Sequence, residues 1–246
     1  MQKRNTQIVR ISKRGFTLLE LLIVIAIISV LAVILILVLN PTEILKKSRD
    51  SQRLSDLGTL KTALGIYVTS SSTPDLDAAV ATDCLTDTSG VANTNAKVNY
   101  STTQTLSACI ADIIEGGNQY TGATFSTTKF CRSVTSGEAL VDGTGWLPVN
   151  LTALTGGSPI SNLPIDPINT VTNTPSTPAS GDLVYRYVCQ NKAGSGKPSY
   201  VFEINAQLES DAFTSEDDKR IRDGGDNTNY YEVGTNLRLL GTGTNF

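Results

Sequence analysis

The longest apolar run of the chain lies near its N-terminus and predicts a membrane-spanning helix. From Phe16 to Leu39, 24 residues include one charged side chain, that of Glu20. As an α-helix this run is about 36 Å long, which is enough to cross the hydrocarbon core of a bilayer. Residues 1–15 carry five basic and no acidic side chains. Because basic flanks stay in the cytoplasm, we expect residues 40–246 outside the cytoplasmic membrane.

A second helix, this one amphipathic, is predicted directly after the apolar run. Asn40, Pro41 and Glu43 stand in the order of an N-cap, a first-turn proline and an acid three residues after the cap. Since proline does not fit a helix interior, this order predicts a kink or short break where the chain leaves the membrane. The Ser- and Thr-rich residues 70–73 and the following Pro74 end the helix.

Spacing and charge predict the faces of this second helix. Apolar residues recur at intervals of three and four, as on one buried face: Leu57, Leu60, Leu64 and Tyr67. Charged residues occur throughout the same segment, and we predict that they lie on solvated faces: Arg49, Asp50, Arg53, Asp56 and Lys61.

Alternation of side chains predicts strands near the C-terminus. Residues 183–188 and 200–208 both alternate with a period of two, and Gly and Pro within 191–198 indicate the turn of a hairpin. A further strand is predicted around Gly234. Residues 74–180 are rich in Ser, Thr, Asn and Gly; 109–114 are predicted as a short helix or strand and 168–181 as an exposed loop. A helix with an antiparallel sheet gives an α+β fold.

Charge and composition exclude several functions. The chain has 20 basic and 23 acidic residues, and without the five basic residues of 1–15 it has 15 against 23, a net charge near −8. A negative chain does not favour general nucleic-acid binding, so no specific nucleic-acid partner is predicted. There is no histidine, which removes histidine-dependent triads and the usual histidine-bearing zinc sites. We therefore predict no catalytic residues.

The cysteines predict disulfides rather than a metal site. None of them forms a C-x-x-C pair, and outside the membrane they meet oxidising conditions. The chain has four of them: Cys84, Cys109, Cys131 and Cys189. Two disulfides then have three connectivities, of which we predict Cys84–Cys109 and Cys131–Cys189. Buried free thiols are the alternative.

The boundary between the basic leader and the apolar run carries a recognisable motif. An ordinary secretory signal has a shorter apolar core with a small-residue cleavage site after it, whereas here Gly15 precedes the core. The stretch 13–22 (KRGFTLLELL) resembles the class III signal of type IV pilins and type II secretion pseudopilins. The resemblance implies that a prepilin peptidase cleaves between Gly15 and Phe16 and methylates the new N-terminus of Phe16. It also implies the pilin fold, a long helix packed on a C-terminal antiparallel sheet.

Glu20 is the candidate residue for assembly. An ionised acid inside a membrane span costs ~2.5–3.5 kcal/mol on insertion scales. After cleavage Phe16 carries a free ammonium group, and Glu20 of one subunit can pair with Phe16 of a neighbour, which satisfies both charges. The alternative is that Glu20 lies near the interface and reaches water. Phe16 and Glu20 are therefore predicted to set the register of a helical filament.

The chain accordingly divides into four predicted segments. Residues 1–15 form the leader peptide, 16–39 the transmembrane and assembly helix, and 40–73 the amphipathic helix of the head. Residues 74–246 form an extracellular globular head with Ser/Thr-rich loops and the C-terminal sheet.

A weaker resemblance suggests a calcium site. Residues 163–167 (LPIDP), followed by 185–187 (YRY), resemble a stretch of major pseudopilins that helps to build one. Calcium takes several oxygen ligands in a flexible loop, and the candidates are Asp166, Asp223, Asp226 and Asn227. The aromatic–glycine step usual after DP is replaced by Ile168-Asn169. The alternative is a solvated acidic loop with Asp166 as a turn residue before Pro167. Apart from this Ca²⁺, no cofactor is predicted.

The function predicted from the sequence is structural rather than enzymatic. We expect a type IV pilus (fimbrium) subunit that is anchored in the cytoplasmic membrane and then assembled into a surface filament. The implied partners are other pilin subunits, the prepilin peptidase, the membrane and the inner-membrane pilus or secretion machinery. One alternative is a periplasmic type II secretion pseudopilin. An alternative of another class is a membrane-anchored binding or adhesion domain that does not polymerise.

Overall fold

The computed structural model describes residues 15–78, 83–86, 88–90, 96–106, 131–172, 178–179, 181–192 and 199–241. The chain divides after Ile44 into two compact units. The first contains an apolar helix, and the second contains a helix packed on a sheet. Together they confirm the predicted α+β class.

Helix α1 spans Leu18–Leu39 and is apolar on every side. Its segment Leu18–Ile36 has a mean hydropathy of 3.2, and none of that segment is buried within the protein. Such a surface is favourable in hydrocarbon and unfavourable in water. By length and composition α1 therefore fits the predicted membrane span.

Helix α2 spans Pro41–Ser70 and is separated from α1 by a single residue. That residue, Asn40, has left-handed backbone angles, with φ 38° and ψ 73°. Asparagine tolerates this conformation better than most residues. The carbonyl of Asn40 accepts the amides of Glu43 and Ile44 at 3.0 and 3.3 Å, so the next helix begins at once. The break predicted from Asn40 and Pro41 is confirmed.

The second unit contains a five-stranded sheet with the order β2-β1-β3-β4-β5. The strands are β1 Val98–Tyr100, β2 Cys131–Arg132, β3 Tyr185–Gln190, β4 Val201–Ala206 and β5 Tyr231–Gly234. Strands β3 and β4 pair antiparallel from Tyr185↔Ala206 to Gln190↔Val201, which confirms the predicted hairpin. Strand β5, predicted around Gly234, pairs antiparallel with β4.

The sheet is mixed, not purely antiparallel as predicted. Strands β1 and β2 run parallel, with Val98 opposite Cys131. A parallel pair needs a connection of a dozen residues or more, and residues 101–130 lie between the two strands. Strands of three and two residues are too short for a period-two pattern, which is why the sequence did not predict them.

Two apolar clusters cover the two faces of the sheet. On one face, the predicted apolar residues of α2 pack with Trp146 and with the aromatic residues of β3 and β4: Tyr185, Tyr187 and Phe202. On the other face, Val98, Tyr100 and Val188 pack with residues near the C-terminus: Tyr230, Leu239 and Leu240. Burial of the sheet on both faces explains why β3 and β4 have no exposed side chain.

The described disulfide joins Cys84 to Cys189, so both predicted pairings, Cys84–Cys109 and Cys131–Cys189, are wrong. The bonded pair is 105 residues apart in sequence, and no pattern in the sequence brings such distant residues together. The fold brings the pair together because the amide of Leu85 donates to the carbonyl of Cys189 at 2.8 Å, which places residue 84 beside the end of β3. Cys131 is also disulfide-bonded, and Cys109 lies outside the described residues.

The remaining predictions concern the segments between the elements of the head. The helix or strand predicted at 109–114 and most of the turn predicted at 191–198 lie outside the described residues. Of the loop predicted as exposed at 168–181, Val171 is buried, at 3% exposure. It is held there because Thr170 bridges to Leu183 beside the sheet.

Candidate functional site

The start of α1 places Thr17 and Glu20 in a capping box. The Thr17 hydroxyl oxygen accepts the amide of Glu20 at 3.2 Å. In return, Glu20 Oε2 accepts the amide and the hydroxyl of Thr17 at 2.9 and 3.0 Å. These bonds satisfy donors that the first turn of a helix leaves without partners. The box therefore fixes the position of the one carboxylate in α1.

The capping box uses one of the two oxygens of Glu20. Oε1 accepts no hydrogen bond within the described part of the chain. Phe16, which directly precedes the N-cap Thr17, is 88% exposed. The other polar side chain inside α1, Ser29, donates to the carbonyl of Ile25 and is satisfied within the helix. Glu20 is thus a carboxylate with spare acceptor capacity on an otherwise apolar surface.

A group of buried and half-buried charged side chains joins α2 to two distant loops. This Arg53 cluster consists of Arg49, Asp50, Arg53, Asp166 and Glu209. Arg53 donates through Nε and Nη2 to Asp166 at 2.6 and 2.9 Å. Its Nη1 donates to Asp50 and Glu209 at 2.8 and 2.7 Å. Asp50 also accepts the amide of Glu209 at 3.0 Å. The side chains of Arg53, Asp50 and Asp166 are fully buried.

The prediction that Asp50 and Arg53 face solvent is therefore wrong. Burial alone would lower the pKa of Arg53, but Asp166, with Glu209 and Asp50, raises it above its ordinary value. The acids that make this burial tolerable lie 113 and 156 residues further along the chain. Spacing on α2 gives no sign of them. Lys61 is exposed as predicted, and Asp56 is half-buried and accepts the Tyr185 hydroxyl at 2.8 Å.

One of the four predicted calcium ligands, Asp166, binds an arginine in this structure. Both carboxylate oxygens of Asp166 accept hydrogen bonds from the Arg53 guanidinium group. Oδ1 of Asp166 also accepts the amides of Ile168 and Asn169 at 2.8 and 3.3 Å. Within the described ranges, no group of three or more His, Cys, Asp or Glu side chains can hold a metal ion. Binding of Ca²⁺ that involves Asp166 therefore stays a prediction. Arg53 holds Asp166 on α2.

The other three candidates lie in the loop before β5. Asp223 accepts the amides of Gly225 and Glu232 at 2.8 and 2.7 Å, one on each oxygen. Burial raises the pKa of Asp223 and of Asp226 above the ordinary aspartate value. These oxygens mainly stabilise the loop itself. A calcium site on Asp223, Asp226 and Asn227 alone stays a prediction.

Two buried glutamates form a pair that the sequence did not predict. Glu203 on β4 and Glu232 on β5 are 0% and 1% exposed. Glu203 Oε2 accepts the amides of Leu239 and Leu240 at 2.8 and 3.0 Å, and Glu232 Oε2 accepts that of Asn227 at 3.0 Å. Both Oε1 atoms are buried and accept from no amide or hydroxyl in the part of the chain that is described. The two carboxyl groups also interact with each other, and the charge of Glu232 disfavours ionisation of Glu203.

Both carboxyl groups hold protons more tightly than an exposed glutamate does. Burial raises the pKa of Glu232 to about 7. Burial, together with the charge of Glu232, raises the pKa of Glu203 well above its ordinary value of 4.5. The period-two alternation along β4 places Glu203 on the face opposite Phe202 and Ile204. Leu239 and Leu240 cover that face of the sheet, so Glu203 is buried as well.

The free energy of unfolding of the full chain is expected to fall between about pH 5 and about pH 8. The folded pKa of each glutamate lies above its unfolded value, so their stabilisation is complete below about pH 4.5 and is lost as the pH rises through about 7. For Glu232 alone the loss is on the order of 2–3 kcal/mol. Urea unfolding in detergent at a series of pH values, followed by the fluorescence of the single tryptophan, Trp146, measures it.

Two variants identify the glutamate pair as the source of this pH dependence. Glu203→Gln should weaken it, because an amide does not ionise and its carbonyl can still accept the Leu239 and Leu240 amides. Glu216→Gln, at an exposed position, should keep the wild-type dependence. A wild-type stability that rises from about pH 5 to about pH 8 would contradict the assignment.

Comparison with known protein families identifies the N-terminal segment. Residues 10–36 match the family model of the prokaryotic N-terminal methylation motif. Comparison with curated proteins and with solved structures gives no match. The match contains Gly15, Phe16, Thr17 and Glu20, and it extends through most of α1. The chain therefore carries the N-terminal methylation motif, which is the class III signal peptide of type IV pilins and pseudopilins.

Proposed function

We propose that the chain is a structural subunit of a type IV pilus, made as a membrane-anchored precursor. A prepilin peptidase cleaves it between Gly15 and Phe16 and methylates the Phe16 amino group. The observation that carries this proposal is the methylation motif at 10–36, placed directly on an exposed apolar helix. The cytoplasmic membrane holds α1 before assembly, with the N-terminus inside, and neighbouring subunits cover it in the filament.

The capping box suggests how Glu20 takes part in assembly. In an apolar bundle each unsatisfied polar group costs several kcal/mol. Thr17 satisfies Oε2 of Glu20 within the same subunit. The ammonium group of Phe16 in a neighbouring subunit then binds Oε1, and neither capping bond has to break. One carboxylate thus stabilises its own helix start and sets the axial register of the next subunit.

The mature N-terminus tests the processing step. Mass spectrometry of the chain purified from membranes is expected to show a polypeptide that begins at Phe16 and carries one additional methyl group. The same chain made without prepilin peptidase serves as the control and should retain residues 1–15. A mature protein that keeps its leader while the peptidase is present would contradict processing and would favour the anchored binding domain.

The type II secretion pseudopilin is the second candidate. It is supported by the resemblance of 163–167 to major pseudopilins, although in this structure Asp166 binds Arg53. Electron microscopy of material sheared from the cell surface separates the two. Fibres that disappear on deletion favour the pilus, whereas lost secretion of exported proteins without fibres favours the pseudopilin.

A further inference from the structure

The Cys84–Cys189 disulfide adjoins two acidic side chains in the segment that follows α2. Both cysteines are fully buried. Asp77 is 1% exposed, and Asp75 is half-buried. A reductant reaches sulfur atoms buried to this degree only when the surrounding structure opens locally. The contacts that hold this segment closed therefore control access to the disulfide.

One side-chain amide holds both carboxylates. Asn191 Nδ2 donates to Asp77 at 2.6 Å and to Asp75 at 3.1 Å, and Asn191 Oδ1 accepts the amide of Leu76 at 2.8 Å. The second oxygen of Asp77 accepts the amide of Cys84 at 2.9 Å. Asp77 thus connects the disulfide-bearing residues to Asn191 at the end of β3.

Two tyrosines fix the same segment to the rest of the head. The Tyr67 hydroxyl, on α2, donates to the carbonyl of Asp75 at 3.0 Å. The Tyr187 hydroxyl, on β3, donates to the carbonyl of Leu76 at 3.1 Å. These bonds involve no ionised group. The charge of Asp77 is the part of this arrangement that depends on pH.

Cations nearby pair with a different acid. Asp83, the third carboxylate of the region, binds Lys97 at 2.9 Å and lies 3.7 Å from Arg132. Asp75 and Asp77 have no cationic partner within the described ranges. Two carboxylates held by one amide in a buried site repel each other when both are ionised. Burial, together with the Asp75 carboxyl, accordingly raises the pKa of Asp77 to about 6.

We propose that Asp75, Asp77 and Asn191 form a proton-linked latch that controls access to the Cys84–Cys189 disulfide. The latch is tight when the acidic pair holds a proton and opens more often when the proton is lost. Because the closed state binds the proton more tightly than an exposed aspartate with a pKa of 3.8 does, opening increases from about pH 4 to about pH 6 and then levels off. Over this pH range the population of the open state increases on the order of a hundredfold. The latch does not depend on whether the chain polymerises.

Reduction of the full chain in detergent by a water-soluble phosphine tests the latch. The phosphine attacks one sulfur, the S–S bond breaks into two thiols, and water supplies the oxygen of the phosphine oxide. Peptide mass spectrometry after alkylation follows the thiols of Cys84 and Cys189. A short peptide disulfide in the same buffers corrects for the reagent. We expect the corrected rate to rise at least tenfold between about pH 4.5 and about pH 7.

Three variants separate the latch from other titrating groups. Asp77→Asn should remove the rise, and Asp75→Asn should move it to lower pH, because a neighbouring charge is lost. Asp142→Asn, at an exposed position, should keep the wild-type curve. A wild-type rate that does not change with pH overturns the proposal, and so does a rise that survives Asp77→Asn. If Asp77→Asn does not fold, an unchanged midpoint in Asp75→Asn overturns it.

Discussion

Substitution of Glu20 by valine is expected to abolish filament assembly and to leave cleavage after Gly15 intact. Valine removes the only carboxylate of α1, so the ammonium group of Phe16 in the next subunit has no partner in an apolar bundle. An unpaired charge there costs on the order of 2.5–3.5 kcal/mol or more for every subunit added. Immunoblots of membranes report the processed chain, and electron microscopy of sheared material reports filaments.

Glu20→Gln separates the two contributions of this residue. Glutamine is also suited to the third position of a capping box, so the bonds to Thr17 can remain while the charge is lost. We expect this variant to be processed and to assemble poorly. Ser29→Ala is the matched control, because the Ser29 hydroxyl is already satisfied by Ile25 within α1, and it should assemble normally. Normal filaments from Glu20→Gln would show that capping suffices and that charge pairing does not set the register.

The sequence predicted those elements that are determined by residues close together in the chain. The break at Asn40 follows from one residue that tolerates a left-handed backbone and one proline. The hairpin follows because β3 and β4 are each six residues long, enough to show alternation. The motif that contains Gly15, Phe16 and Glu20 was predictable for the same reason, since it lies within a few residues, and the family match at 10–36 confirmed the motif.

Features that depend on residues far apart in sequence were predicted wrongly. Cys84 and Cys189 meet only because the chain returns to the end of β3. Asp166 looked like an available ligand, but the fold places Arg53 against it, and Arg53 looked solvated for the same reason. The mixed sheet depends on a two-residue strand, β2, that leaves no pattern. In each case the deciding partner is more than 30 residues away in the chain.

Replacement of Arg53 by methionine is expected to lower the free energy of unfolding by about 3–5 kcal/mol, the usual cost of removing one partner from a buried ion pair. Methionine fills much of the aliphatic volume, but Asp50 and Asp166 remain buried without their cation. Each would then have to bind a proton or draw water into the core. Urea unfolding of the full chain in detergent, followed by Trp146 fluorescence, measures the change; Trp146 Nε1 donates to the carbonyl of Pro164, two residues before Asp166.

Arg49→Met is the matched control for this prediction, because it changes the same residue type in the same cluster near the surface. Among the described residues, Arg49 binds Glu209 alone, and its side chain is 28% exposed. Because Glu209 still binds Arg53 in this variant, we expect the free energy of unfolding to fall by less than about 1 kcal/mol. The loss of unfolding free energy in Arg53→Lys should lie between those of the two methionine variants. The lysine ammonium supplies the charge but not the planar pair of N–H groups that binds both oxygens of Asp166. Equal losses of unfolding free energy for Arg53→Met and Arg49→Met would show that the buried ion pairs of Arg53 stabilise the fold no more than the half-buried pair of Arg49 does. A large loss confined to Arg53 would mean that α2 is held to the loops around Asp166 and Glu209 by one guanidinium group.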